Sequence, residues 1–584
     1  MTPSPVSLAP ARRWLRAVAI AAACVLAAGP LVVLAVRLLL GPALTWAGDQ
    51  ALVELAVREA GAFHRSLGVY SRFGWNHPGP VWLYLLAGPY RLLGGDGRAL
   101  GAAVAASQGL FAVLIVVCAA RLRSASCRSA GAGSAFAAAV AVLVLQHAFG
   151  RSAFLSPWNP FAVLLPALLF LLLAAGVLLR RRGWVLGAVA VATFLVQTHI
   201  GTVPLVVVVG GAALLVRAMA RLSPAHGPER RPSPVDEPAP SLLSQARTIR
   251  LLPASGFGWL LIVLAWAPPL AEQAFGGGNL GRIGHFVTTS QHTTSWRASA
   301  SAAGQLLYNS LLSSAPGRLS LPLPVAGGLK MLGLCAAAGL LLGALGYALR
   351  EPVSRACAAV SVAGLAAGVL AAHQTVGSHD PYLLFWLTAA IAPLAVGTAA
   401  LVTSILTRGA PAAIGPASSS TCLQHRGAGT ARPAGVLALA VGSLVLAAPL
   451  LGGIKARELS SAGNSRPIAA ELSAVERWLG PQRGALLIRI VSHRVWPQVA
   501  GLLLRLRADG HPTYVTPNWV SVFGARQRLP APTSLILDAA ARRAPHIAPA
   551  AGLQLATGRF DTLQLTLVRA RDPASPQTVP PEGP

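Results

Sequence analysis

The chain reads as a polytopic α-helical membrane protein, on three observations. Of its 584 residues 54% are hydrophobic and 11% charged, with a mean hydropathy of +0.60, which a water-soluble chain of this length would carry only with large exposed apolar patches. The apolar residues fall in runs of about 20, the length a helix needs to cross roughly 30 Å of hydrocarbon. The arginines punctuate the ends of those runs. The formal net charge of +29 therefore marks topology and speaks against a nucleic-acid partner, which would meet basic side chains interleaved with aromatics on a soluble face.

In order, the runs lie at roughly 14–40, 97–120, 131–149, 157–179, 184–200, 201–218, 253–271, 326–349, 354–373, 380–406 and 434–453, about eleven crossings. The first follows Arg12, Arg13 and Arg16, is longer than the apolar core of a signal peptide and has no clear cleavage site, so it is expected to remain as a helix. With the N-terminus cytoplasmic, the inner connections hold Arg121, Arg123 and Arg128; Arg180, Arg181 and Arg182; Arg217, Arg221, Arg230 and Arg231; Arg350 and Arg355; and Arg408, Arg426 and Arg432. Basic residues on one side throughout predict a plasma-membrane protein of that orientation, with the alternate connections and everything after Lys455 outside.

Two inner segments, 223–240 with closely spaced prolines and 407–434 rich in Gly, Ser and Ala, read as linkers. The transmembrane part spans 1–454, with interfacial helices at about 46–96 in the first external loop. Beyond it the texture changes. Leu472, Val475, Trp478 and Leu479 recur at a helical period, Val495 to Arg507 is again helical, and Leu563, Leu565 and Leu567 alternate as in a strand. Residues 455–571 are thus expected to form a small extracytoplasmic α/β domain, followed by a disordered Pro-rich tail at 572–584. Cys24, Cys118, Cys335 and Cys357 lie in spans and Cys127 and Cys422 in inner loops, so neither a disulfide framework nor a metal-ligand spacing is present.

The first external loop holds the densest polar stretch. Leu52, Leu55, Ala56 and Glu59 share a helical face, which predicts an amphipathic interfacial helix with Asp49 at its N-terminus, as a site acid or as an N-cap. Glu54 and Arg58, four apart, read as a helix-surface pair. Arg72, Trp75, Asn76 and His77 precede the turn Pro78-Gly79-Pro80, after which Trp82, Tyr84 and Tyr90 read as interface anchors. Cations beside the bilayer, Arg72 and His77, meet either a lipid phosphate or solvent.

Further polar residues fall at outer ends of the runs: Asn159, Gln197 and His199, Glu272, Arg282, and Asp380. Each alone has the plainer account of a helix-end group meeting a loose carbonyl or headgroup water. Gathered on one side, they mark that side as the functional one.

The arrangement resembles the GT-C superfamily of membrane glycosyltransferases, which includes protein O-mannosyltransferases and arabinosyl- and aminoarabinose-transferring enzymes. The resemblance covers residues 14–300. It rests on Asp49 soon after the first span, on Tyr70-Ser71-Arg72 and His77-Pro78-Gly79-Pro80 in the loop, on Pro157-Trp158-Asn159-Pro160 opening the fourth span, and on Gln197-Thr198-His199 ending the fifth. The abundance of Arg, Ala and Gly fits a bacterial, actinobacterial-type member. The resemblance implies inverting transfer of a hexose or pentose from a polyprenyl-phosphate donor, among membrane lipids, to an extracytoplasmic glycan, lipid or protein acceptor.

Displacement at the anomeric carbon needs a carboxylate to take the acceptor proton, for which Asp49 is the first candidate and Glu272 the second. The departing phosphate needs cations: Arg72, His77 and Arg282, of which Arg72 has the planar fork that matches a phosphate. Gln197, His199, Asn159 and Asp380 complete the candidate pocket. Gln50 stands where many of these families carry a second acid, so no metal site is assigned and a divalent cation is left open. The alternative function is a transporter or flippase of a lipid-linked glycan, disfavoured by spans almost free of charge and by the absence of an internal repeat.

Overall fold

The computed structural model describes residues 9–122, 130–181, 183–222, 254–290, 294–312, 325–377, 380–408, 465–480, 484–530, 533, 535–542 and 552–570. In chain order the helices are α1 (Ala9–Leu39), α2 (Gly48–Gly61), α3 (Val81–Leu92), α4 (Gly97–Arg121), α5 (Ala130–Ala153), α6 (Asn159–Ala162), α7 (Leu164–Leu178), α8 (Trp184–Thr198), α9 (Val203–Leu205) and α10 (Gly211–Leu222). There follow α11 (Ala254–Phe275), α12 (Asn279–Thr289), α13 (Trp296–Leu312), α14 (Val325–Ala348), α15 (Pro352–His373) and α16 (Ala392–Arg408), the last preceded by a 3₁₀ stretch, Pro381–Ile391.

Among the described residues eight helical stretches are long and apolar enough to cross a membrane: Trp14–Leu39, Gly97–Arg121, Gly131–Ala153, Asn159–Leu178, Ile200–Ala220, Val325–Ala348, Pro352–His373 and Pro381–Thr407. Together with the shorter apolar helix Trp184–Thr198 and the pair Gly256–Phe275 and Asn279–Thr289, bent by 82°, they account for every expected run except the last. That run, 434–453, lies outside the described residues, as do Arg123, Arg128, Arg182, Arg230, Arg231, Arg426 and Arg432, the bulk of both linkers, and the tail. The chain is a multi-pass membrane protein.

Packing follows from where the apolar side chains point. In α7 they point everywhere, and the helix is buried from Leu164 to Val177, as a helix hydrophobic all round must be when it sits at the centre of a bundle. Helices α4, α8, α15 and the 3₁₀ stretch pack around it, with α1 and α5 against α4. Val25, Leu214, Leu215, Leu261, Val263, Leu340 and Leu341 stay exposed on the outer helices. In water such a belt would be a liability; in hydrocarbon it is the wetted surface.

The C-terminal part holds α17 (Ser465–Leu479), β1 (Leu486–Ile490), α18 (Trp496–Ala508), β2 (Thr513–Val515), α19 (Pro517–Phe523), β3 (Leu535–Ala541), β4 (Gly552–Arg559) and β5 (Leu563–Ala570). Its sheet has the order β2-β1-β3-β5-β4, parallel on both sides of β1 and antiparallel from β3 onward. The register sets Arg489 opposite Asp538, and the two make a bidentate, buried ion pair at 2.7 and 2.6 Å between neighbouring strands.

Helix α2 departs from the expected interfacial amphipath. It is buried on nearly every side, Gln50, Ala51, Val53–Val57 and Glu59–Gly61 included, because α3 covers one flank and α18 of the C-terminal part the other. Small residues permit that approach: a Cβ on Gly501 of α18 would stand 3.0 Å from the carbonyl oxygen of Trp46. Trp82 and Tyr90, read as interface anchors, are likewise buried, with Trp82 Nε1 donating to the Pro157 carbonyl at 2.9 Å.

Candidate active site

Asp49 is the second residue of α2. The N-cap position is Ala47, in extended backbone with no side-chain cap, so Asp49 is not consumed by capping. No hydrogen-bond or ion-pair partner reaches its carboxylate among the described residues. The side chain is exposed, yet loss of hydration to the surrounding protein raises its pKa to about 6. Tyr382, at the start of the 3₁₀ stretch, lies near enough to feel the charges of Asp49, Arg72 and Asp380 together.

Arg72 is carried by a short hairpin. Tyr70 and Asn76 bridge antiparallel, Ser71 N–H donates to the Trp75 carbonyl at 2.8 Å, and Gly74 turns the tip at φ +81°. Its guanidinium lies 2.7 Å from Asp380 Oδ2, 5.0 Å over the Phe73 ring and 5.9 Å from that of Tyr382. Both members of the ion pair keep substantial exposure, 45% and 33% of their side chains, so the remaining guanidinium N–H groups face solvent where an anion would arrive.

A side chain holds the hairpin in place. Asn279, fully buried, accepts from Asn76 N–H through Oδ1 at 2.8 Å and donates through Nδ2 to the Asn76 carbonyl at 2.8 Å, imitating a neighbouring strand. Phe286 on α12 packs on Phe73 and Trp75 at 4.7 and 5.8 Å. Asn279 in turn begins α12 because Glu272 shapes the bend before it, its Oε1 accepting from Gly277 N–H at 2.9 Å and its Oε2 from Asn279 N–H at 3.0 Å. Both oxygens of Glu272 are thus engaged by backbone. Arg282, exposed on α12, sits at the same bend, its Nη2 beside Gly277.

His77 differs from its expected role. Its Nδ1 accepts from Ile200 N–H at 3.2 Å, its ring lies 5.2 Å from that of His199, and burial followed by the His199 charge holds its pKa well below the ordinary histidine value. It is a neutral ring joining the first loop to the next span, and the positive charge expected of it is absent at neutral pH. Gln197 and Asn159 are also buried ties: Gln197 Nε2 donates to the Ala265 carbonyl at 2.9 Å, its backbone carbonyl accepts from Gly79 at 3.2 Å, and Asn159 Nδ2 donates to the Thr198 carbonyl at 3.2 Å.

The structure therefore pairs Arg72 with Asp380 and sets Tyr382, an unforeseen member, against that pair and within electrostatic reach of Asp49. Glu272 and Arg282 stand at an adjoining bend connected through Asn279. No local pattern announces Asp380 as the partner of Arg72, 308 residues away. Among the described residues no three of His, Cys, Asp and Glu gather as metal ligands.

Nearby, an apolar hollow of about 290 Å³ opens between α7, α8 and α10, lined by Phe170, Val177, Val185, Val206 and Trp266. It includes both ends of a π-helical stretch, Val206–Gly210, and reaches Val196, next to Gln197. It does not contain the Asp49 cluster, and no polar group in it suits chemistry.

No protein-family model matches the chain, and no curated protein does. Among solved structures it is similar to ArnT from Cupriavidus metallidurans bound to undecaprenyl phosphate, at 15% identity and a TM-score of 0.50 over 98% of this chain and 100% of that one. The Archaeoglobus fulgidus oligosaccharyltransferase in its apo form aligns with 85% of this chain and 65% of its own at 12% identity and a TM-score of 0.37. The first of these likenesses, read with the helices and the sheet above, establishes a GT-C-like fold for the chain.

Proposed function

We propose that the chain is a membrane glycosyltransferase that moves a sugar from a polyprenyl-phosphate donor to a hydroxyl of an extracytoplasmic glycan, lipid or protein, with Asp49 as general base and inversion at the anomeric carbon. The observation that carries this reading is Asp49: an exposed acid without a hydrogen-bond or ion-pair partner among the described residues, raised toward the range in which a carboxylate both ionises near neutrality and accepts a proton well. The likeness to a protein crystallised with undecaprenyl phosphate supports the choice of donor.

In the transfer, the acceptor oxygen forms its bond to the anomeric carbon as its proton passes to Asp49. The bond from that carbon to the phosphate oxygen breaks, and negative charge grows on the leaving phosphate. Arg72, held in place by Asp380 and the Phe73 ring, is the cation that meets it. Arg282 is a second, more exposed candidate. His77 serves as a neutral positioning group, with His199, Gln197 and Asn159 fixing the helix ends beneath. The hollow lined by Phe170 and Trp266 suits an apolar chain and is offered as a resting place for part of the prenyl tail. In this reading the cluster and the C-terminal domain lie outside the cell, and a divalent cation is not assigned.

The test is transfer from a polyprenyl-phosphate sugar by the purified protein in lipid nanodiscs. Asp49→Asn is expected to lower turnover by ~10²- to 10⁴-fold without lowering the thermal midpoint. Full turnover in that variant would remove Asp49 from the mechanism.

A further inference from the structure

A second cleft lies between α2 and the C-terminal domain, with a volume of about 440 Å³, bounded by Leu55, Arg58 and Glu59 from α2 and by Arg507, His511, Arg526 and Gln527 from the domain. Its charge does not balance. Arg58 is met by Glu54 at 2.9 Å and Glu59 by Arg65 at 3.1 Å, which cancels both pairs. Arg507 spends its N–H groups on the neutral carbonyls of Thr513 and Arg526, and no carboxylate pairs with it or with Arg526 among the described residues. Burial, the largest influence, pulls the Arg507 pKa below its ordinary value; Tyr514 and Glu59 act against it, and the charges of Arg526 and Arg58 act with it.

The same cleft holds unsatisfied acceptors. Glu59 Oε1 and Gln527 Oε1 are buried without a hydrogen-bond partner, in side chains 8% and 1% exposed. An oxygen so placed costs about 1–3 kcal/mol unless something donates to it. A bare phosphate or carboxylate ion answers the arginines and leaves these oxygens unmet, whereas a ligand that also carries hydroxyls answers both.

From this pairing of arginines that no carboxylate neutralises by an ion pair with orphaned acceptors we propose that the cleft binds an anionic saccharide, a sugar chain bearing phosphate or carboxylate groups. Resting on the glycosyltransferase reading, it holds the acceptor. Helix α2 joins the two sites: its rise of about 1.5 Å per residue sets Leu55 and Glu59 about 9–15 Å from Asp49, so a chain anchored by its charge in the cleft reaches the transfer site along one rigid element.

The experiment is binding of an oligouronic acid, an uncharged oligosaccharide of equal length and inorganic phosphate to full-length protein in phosphatidylcholine nanodiscs. The oligouronic acid is expected to bind in a salt-sensitive manner and at least tenfold more tightly than either control. Arg526→Glu, at an exposed side chain, is expected to weaken it tenfold or more without moving the thermal midpoint, and Arg507→Lys less. Asp49→Asn should leave this binding intact while abolishing transfer. Equal binding of the neutral sugar, phosphate competing as well as the oligomer, or an unaltered Arg526→Glu would each overturn the proposal. If transfer is absent from the wild type yet binding follows the expected pattern, the cleft stands and the glycosyltransferase reading fails.

Discussion

The first two turns of α2 hold acids in opposite circumstances. At the first turn Asp49 is exposed and has no hydrogen-bond or ion-pair partner among the described residues. At the second, Glu54 is 1% exposed and meets Arg58 at 2.9 Å and the Tyr90 hydroxyl at 2.8 Å, while Arg58 Nε donates to that same hydroxyl at 2.8 Å. The sequence reading of Glu54 and Arg58 as a surface pair misses this network. One helix thus carries the carboxylate that the proposed mechanism uses as its base and another that welds α2 to α3. In that mechanism both are needed, since a base works only if its helix does not move.

Neutralising each acid separates the roles. Asp49→Asn should cost activity and no stability, as set out above. Glu54→Gln should do the reverse: removing the charge that Arg58 was buried against is expected to cost about 3 kcal/mol of unfolding free energy, read from chemical denaturation in detergent. If Glu54→Gln left stability unchanged and abolished transfer, the contrast would collapse.

The pH profile sharpens it. The Asp49 pKa is raised from 3.8 to about 6, so transfer should fall as pH drops through about 6 and the base becomes protonated. Stability moves the other way. A carboxyl whose folded pKa lies above its unfolded value contributes stability that is complete below 3.8 and lost as pH rises through about 6. Thermal midpoints of wild type and Asp49→Asn should therefore diverge in that window, with the variant the more stable at neutral pH. Parallel curves would mean that Asp49 is not desolvated.

Smaller effects lie on the hairpin. Gly79→Ala would drive a methyl into Gln197 Oε1 and is expected to cost about 1–3 kcal/mol. Arg72→Ala should change stability by under about 1 kcal/mol, because its pair with Asp380 is half exposed, and should lower donor turnover far more than acceptor affinity. Equal loss for both substrates would argue against contact with the phosphate.

Much of this organisation is legible in the chain. Runs of apolar residues mark the spans because a span must bury every backbone group within itself, a local requirement. The placement of Asp49 and Arg72 in one short loop already draws attention to them. Glu272 shows the limit: the sequence offers it as a second candidate base, and only the folded chain reveals the backbone N–H groups of Gly277 and Asn279 at 2.9 and 3.0 Å from its oxygens.

By itself, then, the sequence determined the membrane class, most of the span positions and the helical and strand segments of the C-terminal domain, all properties of residues near one another along the chain. Tertiary structure alone decided that Asp380 pairs with Arg72, that Asn279 clamps Asn76, that His77 is neutral, and that α18 covers the second face of α2. Hydrogen bonds, charge pairing and desolvation depend on distance in space, and residues hundreds of positions apart carry no local mark of the neighbours that folding will bring them.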